Sequence, residues 1–244
     1  MSLATYCPSV SILGVIRGFR VPLDLHLALV AGDRVYSRCV TAVPGVSHSA
    51  VMLPAVEALL AAAGAAPSAL SGVVVCVGPG GFTALRIGVA TAEGLALTGL
   101  PTWGFSAFEL RAAALRLAGC EAPVWIILDG QRQEAFLQLW QAGPQGPATK
   151  QALGDLAPLV GAGLWWAPEV FRERVEVHLP RPSLTLAGEN DATLAGLVSL
   201  CRTLPLGPPE TPLAPFYLRQ TDAEVNFPQA SLHLSEAQRR GQAR

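Results

Sequence analysis

Hydrophobic and polar positions alternate with a period of two near the start of the chain, which predicts a β-meander. Residues 10–16 and 23–30 have the pattern of two strands, and in the second strand four leucines recur at every other position. A turn at 31–33 leads into a third predicted strand over 34–40. This opening differs from the strand–helix–strand start of a wholly parallel sheet.

The pattern then changes to helical spacing, in which apolar side chains recur every three or four residues. The first predicted helix covers 47–63 and ends at Gly64. A continuous apolar run over 72–77 predicts a strand buried on both faces. A glycine-rich turn at 78–81 follows, and a second helix is predicted over 83–97. These elements complete one α/β unit.

A similar mixture of helices and strands then begins again, which predicts a second α/β unit. The predicted elements are a helix at 106–118, strands at 124–128 and 134–140, short segments at 159–164 (apolar) and 175–179 (strand-like), and a last helix at 191–201. Residues 205–215 contain five prolines and are predicted to be a linker. The chain is therefore expected to contain two α/β units of about a hundred residues each.

Composition changes this picture mainly at the surface. Hydrophobic residues make up 51% of the 244 residues, whereas charged residues make up only 14%, well below the usual ~25%. A face covered by a partner is therefore expected. The net charge is −1, and no basic stripe of the kind that binds nucleic acid runs along the sequence. If RNA is involved, most phosphate contacts are expected from another chain.

Five scattered cysteines, without any CxxC pair, favour reduced structural thiols in a reducing compartment. The apolar run at the N-terminus is too short for a signal peptide. No window approaches the ~18 apolar residues of a membrane span. We therefore expect a cytoplasmic protein without a membrane segment.

The turn containing Gly78, Gly80 and Gly81 joins a predicted strand to a helix N-terminus, where backbone N–H groups favour anions. The sequence lacks the lysine of a Walker A loop, and Thr83 occupies the position of the third glycine in the dinucleotide fingerprint. A purely structural turn that needs positive φ at glycine is the simpler interpretation. An anion cradle remains the alternative.

The helix after this turn carries small residues at every fourth position, at Ala84, Gly88, Ala92 and Ala96. Such a ridge permits another helix to approach at the short end of the ~8–10 Å packing range. The spacing alone does not decide whether that helix belongs to this chain or to a partner.

Other candidate chemistry is weaker. The segment 104–108 lacks the second glycine of a nucleophile elbow, which disfavours a hydrolase. None of the four histidines has a second histidine at the i, i+4 spacing of a helical metal site, and Met52 stands at that spacing from His48. The segment from Asp129 to Glu134, which includes Arg132, has the composition of an ordinary turn. An Asp at a strand end can also hold Mg²⁺ or a phosphate-bound water, but no partner ligands are identified.

Four motifs in order resemble those of the TsaB (YeaZ) family. Residues 78–96 are similar to its GPGSFTGxRIGxxxxxGLA run, and 48–54 to its HSxxLxP helix start. Residues 127–136 resemble its DARRxEVY turn, and 215–219 match its PxYLR segment. The resemblance implies an α/β fold of the actin-like, ASKHA (ribonuclease H-like) type with two related lobes. It implies a first lobe at 1–103, to which 214–232 returns, and a smaller second lobe at 104–213.

The resemblance also implies a function in the formation of threonylcarbamoyladenosine beside the tRNA anticodon. The chain is then a non-catalytic scaffold subunit without a cofactor. Its partners are a TsaD-type catalytic subunit and a TsaE-type ATPase, and it contacts tRNA indirectly, through the complex. When alone, a homodimer through the same face is the second expectation. The interface that the resemblance implies lies on the first two helices: His48, Met52, Ala55, Ala84, Leu85, Gly88, Ala92 and Ala96.

One departure from the family lies near the N-terminus. Family members carry an Asp-Thr-Ser turn there, whereas residues 13–22 contain neither a carboxylate nor a hydroxyl, but do contain Arg17 and Arg20. Without the aspartate, an Mg²⁺-nucleotide has no expected anchor, so we expect no ATP hydrolysis. A small-molecule kinase or nucleotide-binding enzyme of the actin-like superfamily is the alternative, although a kinase would need an acidic phosphate-binding loop here, which this sequence lacks. A metallopeptidase would need paired histidine ligands, which His48 without a second histidine at position 52 does not supply.

Overall fold

The computed structural model describes residues 10–13, 24–41, 48–179, 183–203, 208–210 and 212–219. The described strands are β1 (Val10–Leu13), β2 (Asp24–Ala31), β3 (Arg34–Thr41), β4 (Val73–Gly78), β5 (Thr102–Ser106), β6 (Val124–Gln131), β7 (Glu134–Trp140), β8 (Thr149–Ala152), β9 (Trp165–Trp166) and β10 (Ser183–Leu184). The described α-helices are α1 (His48–Ala63), α2 (Phe82–Ala96), α3 (Ala107–Leu117), α4 (Leu156–Val160), α5 (Glu169–Glu176) and α6 (Glu189–Thr203). Short 3₁₀ turns lie at Pro67–Ala69 and Leu153–Asp155.

The strands form two five-stranded sheets that share one topology. The first has the order β3-β2-β1-β4-β5, and the second has the order β8-β7-β6-β9-β10. In each sheet the first three strands pair antiparallel, and the fourth and fifth strands continue in parallel. This repetition is the signature of two related α/β lobes, so the expected fold class is confirmed.

The first sheet is covered on both faces because its strands carry apolar side chains on both sides. Leu25, Leu27, Val73 and Val75 face α1 and α2, where they join Met52 and Val89 among others in one core cluster. The alternate strand residues, including Val74 and Phe105, face α3 and α6. The continuous apolar run that predicted a strand buried on both faces therefore lies where that pattern requires.

Helix α3 lies between the two sheets and contributes to both cores. Leu110 packs with the first sheet, whereas Phe108 and Leu115 pack with the second. A Cβ added to Gly196 of α6 would lie 2.8 Å from the carbonyl oxygen of Leu110, so glycine is needed for this close helix–helix approach. Ser106 caps α3 in a reciprocal capping box with Glu109.

The opposite face of the second sheet is covered by α4 and α5, through residues such as Leu156, Phe171 and Val175. The prediction of a strand-like segment at 175–179 is wrong, because Val175 lies in the last turn of a helix that begins after Pro168. Phe171 and Val175 are four residues apart and both buried, whereas Val177 is 79% exposed. The period-two pattern of 175, 177 and 179 was therefore misleading.

The expected lobe boundaries stay a prediction. Two sets of contacts connect the two expected lobes. Helix α6, which belongs to the expected second lobe, packs against the first sheet through Leu197 and Leu200. Residues 212–219 contact both lobes, since Leu213 joins the first core and Phe216 packs against the second. Residues 220–232, Arg17 and Arg20 lie outside the described residues.

Candidate functional site

The helix pair α1 and α2 lies on one face of the first sheet and presents one side to the core. Six of the expected interface residues point to that side: Met52, Ala55, Ala84, Leu85, Gly88 and Ala92 are buried. Met52, Ala55 and Ala92 belong to the core cluster of the sheet. The small-residue ridge therefore packs against this chain's own fold, and these residues are not an open contact surface. His48 begins α1, and Ala96 is half-buried at the end of α2.

The other side of the helix pair is exposed and nearly without charge. On α1, the exposed residues are Ala50, Leu53, Pro54, Glu57, Ala61 and Ala62. On α2, they are Phe82, Thr83, Arg86, Ala90 and Gly94, and Leu97 follows at 91% exposed. Leu53 is also 52% exposed. Only Glu57 and Arg86 are charged in this set, so the surface consists mainly of small and apolar side chains.

The glycine turn before α2 is built around Gly78. Its φ is +123°, a conformation that only glycine adopts readily, and its peptide bond to Pro79 is cis. A Cβ at this position would lie 2.5 Å from the carbonyl oxygen of Phe216. Gly81, by contrast, is the N-cap of α2 with φ −61°, and Gly80 is a half-buried bend. Within this turn, the need for glycine is therefore demonstrated at Gly78.

Residues 212–219 form a C-terminal strap that crosses from the first lobe to the second. The N–H of Phe216 donates to the carbonyl oxygen of Val77 at 2.7 Å. The ring of Tyr217 lies 5.4 Å from that of Phe82, and the guanidinium of Arg86 lies 4.0 Å from the same Phe82 ring. The strap thereby joins two motifs, near residues 82 and 217, that are far apart in the sequence.

The far end of the strap reaches the β6–β7 hairpin. Arg219 donates to the carbonyl oxygen of Gln131 at 3.2 Å and forms an ion pair with Glu134. Lys150 of β8 approaches the same carboxylate at 2.9 Å. Partial burial acts to raise the pKa of Glu134, but hydrogen bonds and charge from Lys150 and Arg219 outweigh it, so the pKa is lowered.

Asp129 and Arg132 lie on the same hairpin. One carboxylate oxygen of Asp129 accepts the N–H of Gln131 at 2.8 Å, and the other lies 3.3 Å from a guanidinium nitrogen of Arg174. Both oxygens are thus engaged in holding the hairpin. Among the described residues, no group of three or more His, Cys, Asp and Glu side chains could hold a metal ion. Arg132 is exposed at the tip.

Sequence reasoning missed three residues that contact this hairpin: Lys150, Arg174 and Arg219. They come from β8, α5 and the strap, so no local pattern connects them. The PxYLR match did contain Arg219, but gave it no role. Within the ranges that the structure describes, no helix combines the length and the apolar composition needed to cross a membrane.

Comparisons with known proteins relate the chain to the TsaD-family model and to TsaB (YeaZ) proteins. The model of the TsaD family, tRNA N6-adenosine threonylcarbamoyltransferase, matches residues 43–230. The tRNA threonylcarbamoyladenosine biosynthesis protein TsaB of Bacillus subtilis is 35% identical over 119 residues, which are 48% of this chain and 50% of that protein. An uncharacterized protein of Mycobacterium leprae is 31% identical over 208 residues, which are 84% of this chain and 52% of that protein. The chain thus spans about half the length of these two relatives.

A further relative and two solved structures extend over more of the molecule. An uncharacterized Mycobacterium tuberculosis protein is 30% identical over 203 residues, which are 82% of this chain and 85% of that protein. YeaZ from Pseudomonas aeruginosa has a TM-score of 0.65 at 24% identity, over 86% of this chain and all of the other. A P. aeruginosa protein described as similar to peptidase YeaZ gives the same score and identity, with 87% of this chain covered.

The two sheets of shared topology, together with the match to the TsaD-family model over residues 43–230, define an ASKHA-type protein with two α/β units. The chain belongs to the TsaB (YeaZ) family.

Proposed function

We propose that this chain is a non-catalytic subunit in the formation of threonylcarbamoyladenosine in tRNA, and that it docks on a TsaD-type catalytic subunit through the helix pair. Family membership supports the pathway. The observation that carries the docking role is the exposed side of α1 and α2, where apolar and small residues predominate. The partners are a TsaD-type transferase and a TsaE-type ATPase, with tRNA bound mainly by the assembled complex.

The proposed docking surface, here called the helix-pair face, consists of the exposed residues of α1 and α2 rather than the buried ridge. Leu53, Phe82 and Leu97 supply large apolar side chains. Ala90 and Gly94 lie one helical turn apart on α2 and leave room for close approach, since no atom lies within 4 Å of a Cβ built on Gly94. Such a surface stabilises a complex by removing apolar area from water, at roughly 25 cal/mol per Å². A homodimer through the same face is the expected state when the catalytic partner is absent.

The non-catalytic role is supported by the hairpin that carries Asp129. Mg²⁺ at Asp129 would have to compete with the guanidinium of Arg174, which lies 3.3 Å from one carboxylate oxygen, while the other oxygen already accepts the N–H of Gln131. We therefore expect no steady ATP turnover by the isolated chain. Turnover that Asp129→Asn abolishes would contradict this expectation and would favour the nucleotide-binding enzyme instead.

The test is reconstitution with the TsaD-type and TsaE-type proteins of the same organism. Unmodified tRNA, threonine, bicarbonate, ATP and the enzyme that makes the threonylcarbamoyl adenylate are incubated with and without this chain, and modified adenosine is counted by mass spectrometry. Product that depends on the chain supports the proposal. Equal product without the chain would mean that its likeness to the family is one of fold alone.

A further inference from the structure

The β6–β7 hairpin turns through a two-residue loop whose backbone is unusual for its sequence. The loop residues Arg132 and Gln133 have φ values of 47° and 64°, and Gln131 at the end of β6 has a φ of 61°. Two-residue hairpin loops with positive φ are normally built from Asn-Gly or Asp-Gly. A side chain other than glycine in this region is strained, and such strain concentrates at functional sites. The loop therefore holds Arg132 at its tip although other residues suit the backbone better.

Three more cations surround this loop, each from a different element. Arg174 of α5 lies 3.3 Å from the carboxylate of Asp129 and 3.4 Å from the side-chain oxygen of Gln133. Arg219 of the strap donates to the carbonyl oxygen of Gln131 at 3.2 Å and pairs with Glu134. Lys150, the single lysine of the chain, lies 2.9 Å from Glu134. We call Asp129–Glu134 with Lys150, Arg174 and Arg219 the cationic turn.

The cationic turn has an excess of positive charge in a chain whose net charge is −1. Its four cations are Arg132, Lys150, Arg174 and Arg219, whereas its carboxylates are the two of Asp129 and Glu134, so positive charge exceeds negative charge within the group. The cations that pair with these carboxylates keep 24% to 39% of their side-chain surface exposed. That exposed surface is accessible to an anion from solvent.

We propose that the cationic turn contacts the phosphodiester backbone of RNA, which under the proposed function is the tRNA substrate. Guanidinium groups suit phosphate because their planar N–H donors match its oxygens. Arg174 and Arg219 are already oriented by their hydrogen bonds to the hairpin, so less side-chain freedom is lost on binding. The cations come from positions 132 to 219, and for this reason the linear sequence shows no basic stripe.

The test uses Arg132→Asn. Asparagine tolerates positive φ better than arginine, so the variant is expected to unfold at the same temperature as the wild type or above it. We expect it to bind an unmodified tRNA transcript several-fold more weakly. Its plot of log K against log salt concentration should be shallower by about one, because one phosphate is no longer neutralised by the protein. Arg38→Asn, at an exposed arginine of β3 in the first sheet, is the matched control and should retain wild-type affinity and salt dependence.

Equal affinity and salt dependence for Arg132→Asn and the wild type would overturn the inference. A variant that binds tRNA normally but loses affinity for the TsaD-type subunit would overturn it too, because the turn would then be a protein contact.

The outcome of this test is separable from the outcome of the test of the proposed function. If reconstitution requires the chain but Arg132→Asn leaves the KM for tRNA unchanged, only the RNA contact fails. If reconstitution does not require the chain, the proposed function fails. Direct binding of the tRNA transcript to the wild type and to Arg132→Asn still shows whether RNA contacts the cationic turn.

Discussion

Phe216 and Val77 are joined by a backbone hydrogen bond of 2.7 Å, which ties the C-terminal strap to the end of the central strand β4. The next residue after Val77 is Gly78, whose missing side chain makes room for the carbonyl group of Phe216. The glycine turn and the strap therefore determine each other's position. This contact brings together two motifs that are far apart in the sequence, at 78–96 and 215–219.

Gly78→Ala is expected to destabilise the protein. The added Cβ would lie 2.5 Å from the Phe216 carbonyl oxygen, and alanine would also be strained at φ +123°. The combined cost is on the order of 2–4 kcal/mol of unfolding free energy, measured by urea denaturation. Gly94→Ala is the control, since Gly94 is exposed inside α2 with open space around it; it should gain about 1 kcal/mol. An unchanged midpoint for Gly78→Ala would show that the strap does not hold this position in solution.

Gly94→Arg and Gly88→Leu separate the two sides of α2. Arginine at Gly94 projects from the helix-pair face into solvent, so the chain should fold normally but bind a TsaD-type subunit at least tenfold more weakly, as measured by calorimetric titration. Leucine at the buried Gly88 overfills the packing beneath α2, and its first effect should be a lower unfolding temperature. Full affinity of Gly94→Arg would remove the exposed stripe of α2 from the proposed interface.

Stability should depend on pH through Glu134. Its pKa in the folded state is below the ordinary value of 4.5, because the charges and hydrogen bonds of Lys150 and Arg219 outweigh its desolvation. A lowered pKa contributes stability that is complete above the unfolded value and is lost as the pH falls through the folded value. Glu134→Gln should therefore be less stable than the wild type at neutral pH, and the difference should shrink in acid. Denaturation of both proteins across this range measures it, and a constant difference would contradict the assignment.

The thiols should differ in reactivity. Burial raises the pKa of Cys76 to about 12 and also raises that of Cys201, so almost none of either thiol is ionised at mildly alkaline pH. Cys39 is exposed on β3. Brief iodoacetamide treatment of the native protein should therefore label Cys39, whereas Cys76 and Cys201 should react only after denaturation. Peptide mass spectrometry reads out the sites, and rapid native labelling of Cys76 would place β4 at the surface.

Ser106→Ala tests the start of the helix shared by both lobes. The Ser106 hydroxyl accepts the N–H of Glu109 at 3.0 Å, and the Glu109 carboxylate accepts the N–H of Ser106 at 2.5 Å. Removing the hydroxyl should cost about 1 kcal/mol of unfolding free energy, measured by urea denaturation. Ser106→Asp is the matched variant, because aspartate is also a good N-cap and should recover most of that loss.

Much of the first lobe was predictable because its signals are local. The predicted helices at 47–63 and 83–97 differ from α1 and α2 by one residue at their starts, and the second also differs by one residue at its end. The agreement is close because apolar spacing and glycine turns mark the helix ends. The orientation of α2 was not predictable. Residues 84, 88 and 92 form one helical stripe and 86, 90 and 94 form another, and both contain small residues. Only contact with the sheet decides which stripe is buried.

The environment of the hairpin was beyond sequence reasoning for a different reason. The sequence identified the turn that contains Asp129 and Arg132, but gave it no role. The ion pairs around this turn depend on Arg174 and Arg219, which are 45 and 85 residues from their partners Asp129 and Glu134. Tertiary structure alone brings these charges together. The same holds for the strand-like prediction at 175–179, where burial of Phe171 and Val175 on one helical face overrides a short alternating pattern.

Helix α6 and Leu213 have a consequence for how the protein is made. The first sheet is built from residues 10–106, yet one of its faces is closed by Leu197 and Leu200, and its other core includes Leu213. While a ribosome is still synthesising the second lobe, the side chains of Val74 and Phe105 have no α6 to cover them. We therefore expect the first lobe to finish folding only after α6 has been translated, although domains usually fold in order from the N-terminus. A premature stop codon before α6 would leave one face of the first sheet without the helix that covers it.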